Sequence, residues 1–395
     1  MGTPASAIVK PTLRDVHAYT GRNGGPEQWD NFAFAELQTR NVPKPVPLAQ
    51  PLMAFQFEWK GRIVIGTANY TSVNPESLLN LFNRIKWTGQ HVTLSSQTPW
   101  DGPGASLFKL MKLANVKGND LYINGVRVSD DQISNGIPTA TFGNTGTYDI
   151  DLIMTVPMYP LGLNDAQAIM FFYNEQAWGS TINMVIQMGD RTSFGVPAGG
   201  TTVTYTAFGL GTGTPQVNVN VVYAYLGPLA ARIGQAVCIR SDQTINSVLQ
   251  SNGPTTRLAL LQNQRTQYVV LKTGQLAAGA SPGVVAFSTL SDTITEQALL
   301  RKNNVRLRDL FNNSSTKAWY GYRMNTTQPI GYLGLFFDDG DPALNFFASY
   351  QGDNPRVLPA GAQFDIAAQI VGANAANAGE VIQEYTLGDP KVNLS

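Results

Sequence analysis

The residues best able to do chemistry are few and scattered. Asp149 and Asp151 stand two apart in an alternating stretch, so on a strand both carboxylates share one face. Their separation would be about 7 Å, which suits the acid and base of an inverting glycosidase. Gly279-Ala-Ser281-Pro-Gly283 matches the G-x-S-x-G spacing of a nucleophile elbow. Such an elbow needs a helix after the serine and an N–H on the next residue. Here the next residue is Pro282, which has no N–H, and Val284-Val-Ala-Phe287 reads as strand. The segment is expected to be a turn. Asp338, Asp339 and Asp341 gather hard oxygens that could hold Ca²⁺. They lack the regular spacing and terminal Glu of an EF-hand loop, and Asp339-Gly340 reads as a turn.

Other groups offer less. Gly209-Leu-Gly-Thr-Gly213 is glycine-rich, but no helix follows it and no Gly-Lys-Ser/Thr occurs in the chain. His17 and His91 are far apart, with no third His or Cys between them to complete a zinc site. Cys238, the one cysteine, reads as a small buried apolar residue and excludes a disulfide within the chain. Arg301, Lys302, Arg306 and Arg308 form the one basic cluster, read as a solvated helix face or a contact to acidic groups of another subunit. No catalytic set, cofactor or metal is expected.

The elements that would carry these residues are mostly strands. Met53, Phe55, Phe57 and Trp59 alternate with polar neighbours, as do Val217, Val219, Val221 and Tyr223. The spacing predicts further first-half strands at 61–67, 120–128, 147–156, 181–188 and 201–208. In the second half it predicts 266–273, 283–290, 317–324, 330–338, 343–350 and 362–371. Helices are expected after Asn74-Pro75-Glu76, over 105–117 with Gly118 as stop, and over 165–173. One more is expected after Thr293-x-x-Glu296, a capping box followed by Leu299, Leu300, Leu307 and Leu310.

Residues 1–50 read as an extended arm and Pro-rich linker, with Pro43, Pro45 and Pro47 in alternation. Within it, Trp29, Phe32 and Phe34 are either a plug on the nearest sheet or an anchor for a neighbouring subunit. The strand pattern lapses near 226–235, which divides the rest into domains at 51–228 and 229–395. The expected class is all-β, and β domains of many short strands are sandwiches or barrels.

Composition narrows the partners. The 395 residues include 27 Lys+Arg and 27 Asp+Glu, and only 14% are charged against about 25% in ordinary soluble proteins. Zero formal net charge leaves no basic excess to neutralise a nucleic-acid backbone. A surface of Asn, Gln, Ser and Thr dehydrates cheaply, which favours a protein that assembles over one kept apart by charge. No run of about 18 apolar residues occurs, and the N-terminal residues lack a secretory pattern, so synthesis in a cytoplasm is expected.

Two sets of residues carry a family resemblance. In the first half they are Asp149–Pro157, Pro160–Leu163, the apolar stretch 165–173 and Ile182–Gln187. In the second they are Ile330–Asp339, Ala343–Phe347, Pro359–Gln363 and Phe364–Ile370. Over roughly residues 50–385 the order of elements resembles the double jelly-roll major capsid proteins of tailless icosahedral viruses with an internal membrane. This is the tectivirus-like bacteriophage group, related to adenovirus hexon. The resemblance implies two tandem eight-stranded jelly rolls and a homotrimer of pseudo-hexagonal outline that tiles a virion shell. Implied partners are neighbouring trimers, penton and minor capsid proteins, and the internal membrane through the N-terminal arm. Two alternatives stand beside it. One is a carbohydrate-binding or carbohydrate-active β-sandwich, motivated by Trp29, Trp87, Trp100, Trp178 and Trp319 with the aspartate pair; the other is a minor capsid or spike protein.

Overall fold

The structure is a computed structural model. It describes residues 27–42, 51–74, 76–114, 116–161, 171–179, 182–209, 211–223 and 236–245. Beyond these it describes the segments 256–259, 265–276, 285–286, 295–302, 305–310, 332–336, 364–370 and 377–387.

In the first half the strands run β1 (Glu27–Ala33), β2 (Thr39–Val42), β3 (Leu52–Gly66), β4 (Tyr70–Val73), β5 (Phe82–His91), β6 (Ser95–Gly102), β7 (Asp120–Ile123), β8 (Val126–Arg127), β9 (Gly146–Pro157), β10 (Ile182–Met188), β11 (Gly195–Pro197), β12 (Thr202–Thr206) and β13 (Gln216–Tyr223). Helices α1 (Gly104–Leu113), α2 (Asp130–Asn135) and α3 (Glu175–Trp178) lie between them. The second half adds β14 (Val237–Ile245), β15 (Thr256–Ala259), β16 (Arg265–Leu276), β17 (Val285–Ala286), β18 (Thr295–Lys302), β19 (Val305–Leu310), β20 (Tyr332–Phe336), β21 (Phe364–Ile370) and β22 (Asn377–Leu387).

The pairing gives the architecture. One first-half sheet runs β1-β13-β3-β9 and continues through β7-β8, with β12 on the far part of β3; the other runs β2-β10-β5-β6. Setting aside β4, β7, β8, β11 and β12, the eight remaining strands are ordered first-eighth-third-sixth and second-seventh-fourth-fifth. The second half repeats this once β17 is set aside, as β14-β22-β16-β20 and β15-β21-β18-β19. Two antiparallel four-stranded sheets so connected make a jelly roll. Among the described residues, the chain therefore contains two of them in tandem.

Strand alternation builds the first core. Phe55, Phe57, Trp59, Ile63 and Ile65 of β3 point inward with Ile150, Leu152, Met154 and Val156 of β9. From the other sheet come Ile85, Trp87, Ile182, Met184 and Ile186. Each such side chain contributes roughly 1.5–3 kcal/mol on leaving water. The chain closes this core with α1, which approaches β5 so closely that a Cβ on Gly104 would lie 2.3 Å from the Phe82 carbonyl oxygen.

Several expectations change. Residues 27–42, assigned from sequence to an arm, supply the first two strands of the first jelly roll: β1 pairs with β13, and β2 with β10. The boundary expected at residue 50 thus falls inside that domain; residues 1–26 and 43–50 lie outside the described residues. The helix expected after Asn74 is only a 3-10 turn, Ser77–Leu81, in which Glu76 N–H donates to Asn74 Oδ1 at 2.9 Å. Phe82 and Ile85 instead belong to β5, where Ile85, Trp87 and His91 alternate inward. The helix expected from the capping box at Thr293 is a strand pair, β18 with β19. Pairing of β18 with β21 on its other side overrides the helix propensity of its Leu, Ala, Glu and Arg residues. Of the segment 165–173, residues 165–170 are not described, while Tyr173 forms a bridge to Leu52. Strands expected at 317–324 and 343–350 also lie outside the described residues.

Candidate functional site

The sequence-derived candidates separate into core and surface. Trp29 stacks on Phe55 with ring centroids 5.4 Å apart. Phe32 and Phe34 are buried, Phe34 edge-on to Trp59 at 5.5 Å and tilted on Tyr205 at 4.9 Å. These three fasten β1 to its own barrel, the plug of the two alternatives. Trp59, Trp87, Trp100 and Trp178 are all within 1% of complete burial. No groove of stacking tryptophans lies beside the aspartates among the described residues. Trp319 is not described.

Asp149 and Asp151 are held separately. Asp149 takes a two-pronged contact from Arg62, Nε to Oδ1 at 2.7 Å and Nη2 to Oδ2 at 2.9 Å, and accepts the Gly209 N–H at 3.2 Å. The Arg62 hydrogen bonds hold its carboxyl below the usual carboxylate range. Asp151 pairs with Lys60 at 3.4 Å, and burial pushes its carboxyl up. Opposed shifts can mark an acid and a base. Yet both Asp149 oxygens are engaged by Arg62, and the lowered carboxyl is a weak base, so the arrangement is that of a cross-strand ion pair. The glycine-rich loop supplies one of these contacts and links β12 to β13.

His91 is buried, edge-on to Trp178, and its Nδ1 accepts the Thr93 and Leu94 N–H groups at 3.3 and 3.2 Å. It shapes the turn between β5 and β6. His17, Ser281 and the trio Asp338, Asp339 and Asp341 lie outside the described residues. Arg301 and Lys302 end β18, and Arg306 and Arg308 lie on β19; the register sets Arg301 opposite Arg306 and, on the other side, opposite Asp365. The basic cluster is thus the end of a hairpin, not a helix face.

On the outward face of the larger first-half sheet, polar side chains satisfy each other across strands. Asn31 Nδ2 donates to Asn218 Oδ1, and Asn218 Nδ2 to Glu58 Oε2 at 2.7 Å. A second row runs from Asn220 Nδ2 to Gln56 Oε1 at 3.2 Å, then Gln56 Nε2 to Thr155 Oγ1 at 3.2 Å. Thr155 Oγ1 in turn donates to the Gly118 carbonyl at 2.9 Å. Such a face presents few unpaired charges.

Sequence reading missed a fully buried ion pair. Arg240 on β14 and Glu384 on β22 stand opposite each other in register, with side chains 1% and 0% exposed. Arg240 Nε donates to Glu384 Oε2 at 2.8 Å. Its Nη1 and Nη2 donate to the carbonyls of Pro157 and Tyr159, both at 3.0 Å, while Glu384 Oε1 accepts the Leu161 N–H at 2.8 Å. The Cys238 thiol also hydrogen-bonds Glu384, and burial pushes that thiol up. The pair joins the second jelly roll to the segment leaving β9 of the first. The only local signal is a single cation in the apolar run Val237–Arg240; the partner lies 144 residues on.

Strand order and geometry together define a double jelly roll, and comparison with solved structures agrees. The chain is similar to the STIV MCP, the major capsid protein of Sulfolobus Turreted Icosahedral Virus, with a TM-score of 0.57 at 12% identity over 94% of this chain and 99% of that one. A second structure from the same virus aligns at a TM-score of 0.51 and 14% identity, over 91% and 90%. PBCV-1 VP54, fitted into a reconstruction of the virophage Sputnik, aligns at 0.50 and 10%, over 92% of each chain. No protein-family model and no curated protein matches the chain.

Proposed function

We propose that the chain is a major capsid protein that assembles as a homotrimer and tiles an icosahedral virion shell. The carrying observation is the repeated strand order: both halves are wound first-eighth-third-sixth and second-seventh-fourth-fifth. Two such wedges per chain give six per trimer, an outline close to a hexagon, which packs a surface without gaps. The similar structures are capsid proteins, and their likeness extends over nearly the whole chain. A surface of mutually satisfied Asn, Gln and Thr with zero net charge supports lateral packing against further copies. The partners on this reading are neighbouring trimers, penton and minor capsid proteins and, through residues 1–26, the internal membrane.

Obligate interfaces bury on the order of 2,000–5,000 Å², so the trimer should persist at nanomolar protein. Sedimentation velocity on the purified chain tests this, with averaged electron images for the outline. A concentration-independent monomer, or a trimer with no hexagonal outline, would overturn the reading.

A further inference from the structure

The pair formed by Arg240 and Glu384 is costly to bury. Each ion loses its hydration, and replacing such pairs by apolar residues often leaves stability unchanged or raises it. Net stabilisation is therefore a poor account of its presence. Its hydrogen bonds suggest another. The guanidinium donates to Glu384, and two of its other hydrogen bonds cross to the first jelly roll, at Pro157 and Tyr159. The carboxylate divides its oxygens the same way, one to Arg240 and one to the Leu161 N–H. The two bonds from Arg240 Nη1 and Nη2 and the one to Glu384 Oε1 form only when the segment 157–161 sits in one position against β14 and β22. Apolar burial is non-directional, whereas these hydrogen bonds each demand a distance and an angle. Val237 and Ile239 of β14 share one continuous apolar core with the first jelly roll, so the pair sits at the edge of a packed joint. Other polar groups near the pair include Cys238, Thr386 opposite it on β22, and Tyr173, itself held by the Trp87 indole N–H at 3.3 Å.

We infer that the pair of Arg240 and Glu384 is an orientation lock between the two jelly rolls, fixing their mutual register through the backbone of residues 157–161. The lock acts within one protomer and does not depend on the capsid reading.

Two variants separate it from mere stabilisation. In Glu384→Gln the shape is kept but one acceptor becomes a donor, so Arg240 Nε–H and Leu161 N–H cannot both be accepted. In Arg240→Lys the charge is kept but the fork that reaches two carbonyls is lost. Amide hydrogen exchange on the full chain is the readout. Exchange at Tyr159 and Leu161 should rise at least tenfold in both variants, while the β3–β9 ladder, with the Met158 N–H held by the Met53 carbonyl at its end, keeps its wild-type rates. Unchanged exchange at these amides overturns the lock, and so does a rise spread equally over both jelly rolls. If neither variant folds, the double variant Arg240→Met with Glu384→Met decides. Recovered thermal stability with fast exchange at these amides supports a lock; wild-type protection there shows that apolar packing suffices and overturns it. Because exchange is read whether or not trimers form, loss of the trimer would count against the capsid reading and leave this one standing.

Discussion

At the scale of single residues, the structure depends on a few side chains in the first barrel and a few ion pairs with opposite pH behaviour. Phe57 is fully buried between the sheets, with its ring 6.1 Å from that of Phe82. Phe57→Ala should cost about 3–5 kcal/mol, read as a lower urea midpoint with an unchanged slope. The ion pairs differ in sign. Arg62 lowers the Asp149 carboxyl, so its contribution is present above the ordinary carboxylate range and is lost as pH falls through the folded value. Arg62→Met should therefore move the onset of acid unfolding to higher pH. Glu384 is the reverse, because burial outweighs Arg240 and pushes its carboxyl up to about 7. The folded chain then binds a proton that the unfolded chain lacks between about 4.5 and 7. Its contribution is present below that window and is lost as pH rises through it. A protonated carboxyl has only one free acceptor, however, so protonation should loosen the 157–161 segment while favouring the fold. Exchange at Leu161, corrected for its intrinsic rate, should quicken as pH falls from 8 to 6. A seam that tightens over that interval would contradict this assignment.

At the scale of elements, legibility followed local pattern. β9, β10 and β13 alternate cleanly, and their expected positions agree with the strands within a few residues, whereas the two strands expected around 53–59 and at 61–67 are one continuous β3. β1 was obscured because a bulge between Gln28 and Asp30 breaks its alternation. β2 offered only Val42 as a buried residue in four. The hairpin of β18 and β19 is written in good helix formers, and only its neighbour β21, more than sixty residues away, makes it a sheet. Of the candidate site, individual residues were visible but the joint between barrels was not, since nothing local ties Arg240 to Glu384. Two element-scale outcomes follow. Removing residues 1–42 would leave a barrel intact if they were an arm, but here it deletes two of eight strands. The truncated chain should lose the cooperative unfolding of the first jelly roll, seen as loss of near-ultraviolet dichroism. At the tip of β7 and β8, Asn124 and Gly125 take φ of 51° and 77°, the left-handed pair of a tight hairpin. Gly125→Val should cost about 1 kcal/mol or more, confined to faster exchange in that hairpin.

At the scale of the whole molecule, the proposed trimer should be held by contacts that salt scarcely touches. Among the described residues, the surface carboxylates are largely paired within the chain. Asp101 takes both Arg84 and Lys86, and Asp120 and Asp130 share Arg127 and Lys112. Pairs of this kind are worth about 0–1 kcal/mol and leave little field beyond a Debye length of about 8–10 Å. Asn and Gln rows across the outward sheet add hydrogen-bonding capacity without charge. A second copy laid against such a face gains dispersion and apolar burial and forms few new ion pairs. Raising sodium chloride from about 50 mM to 500 mM, a range over which the Debye length shrinks roughly threefold, should leave the trimer's dissociation constant within about threefold. The basic hairpin end at Arg301, Lys302, Arg306 and Arg308 is the obvious exception. If it met acidic groups of a neighbour, dissociation would rise at least tenfold over the same range, and Arg306→Gln with Arg308→Gln would abolish that rise. Analytical ultracentrifugation at the two salt concentrations, with and without these substitutions, distinguishes a trimer joined by neutral surfaces from one joined by charge.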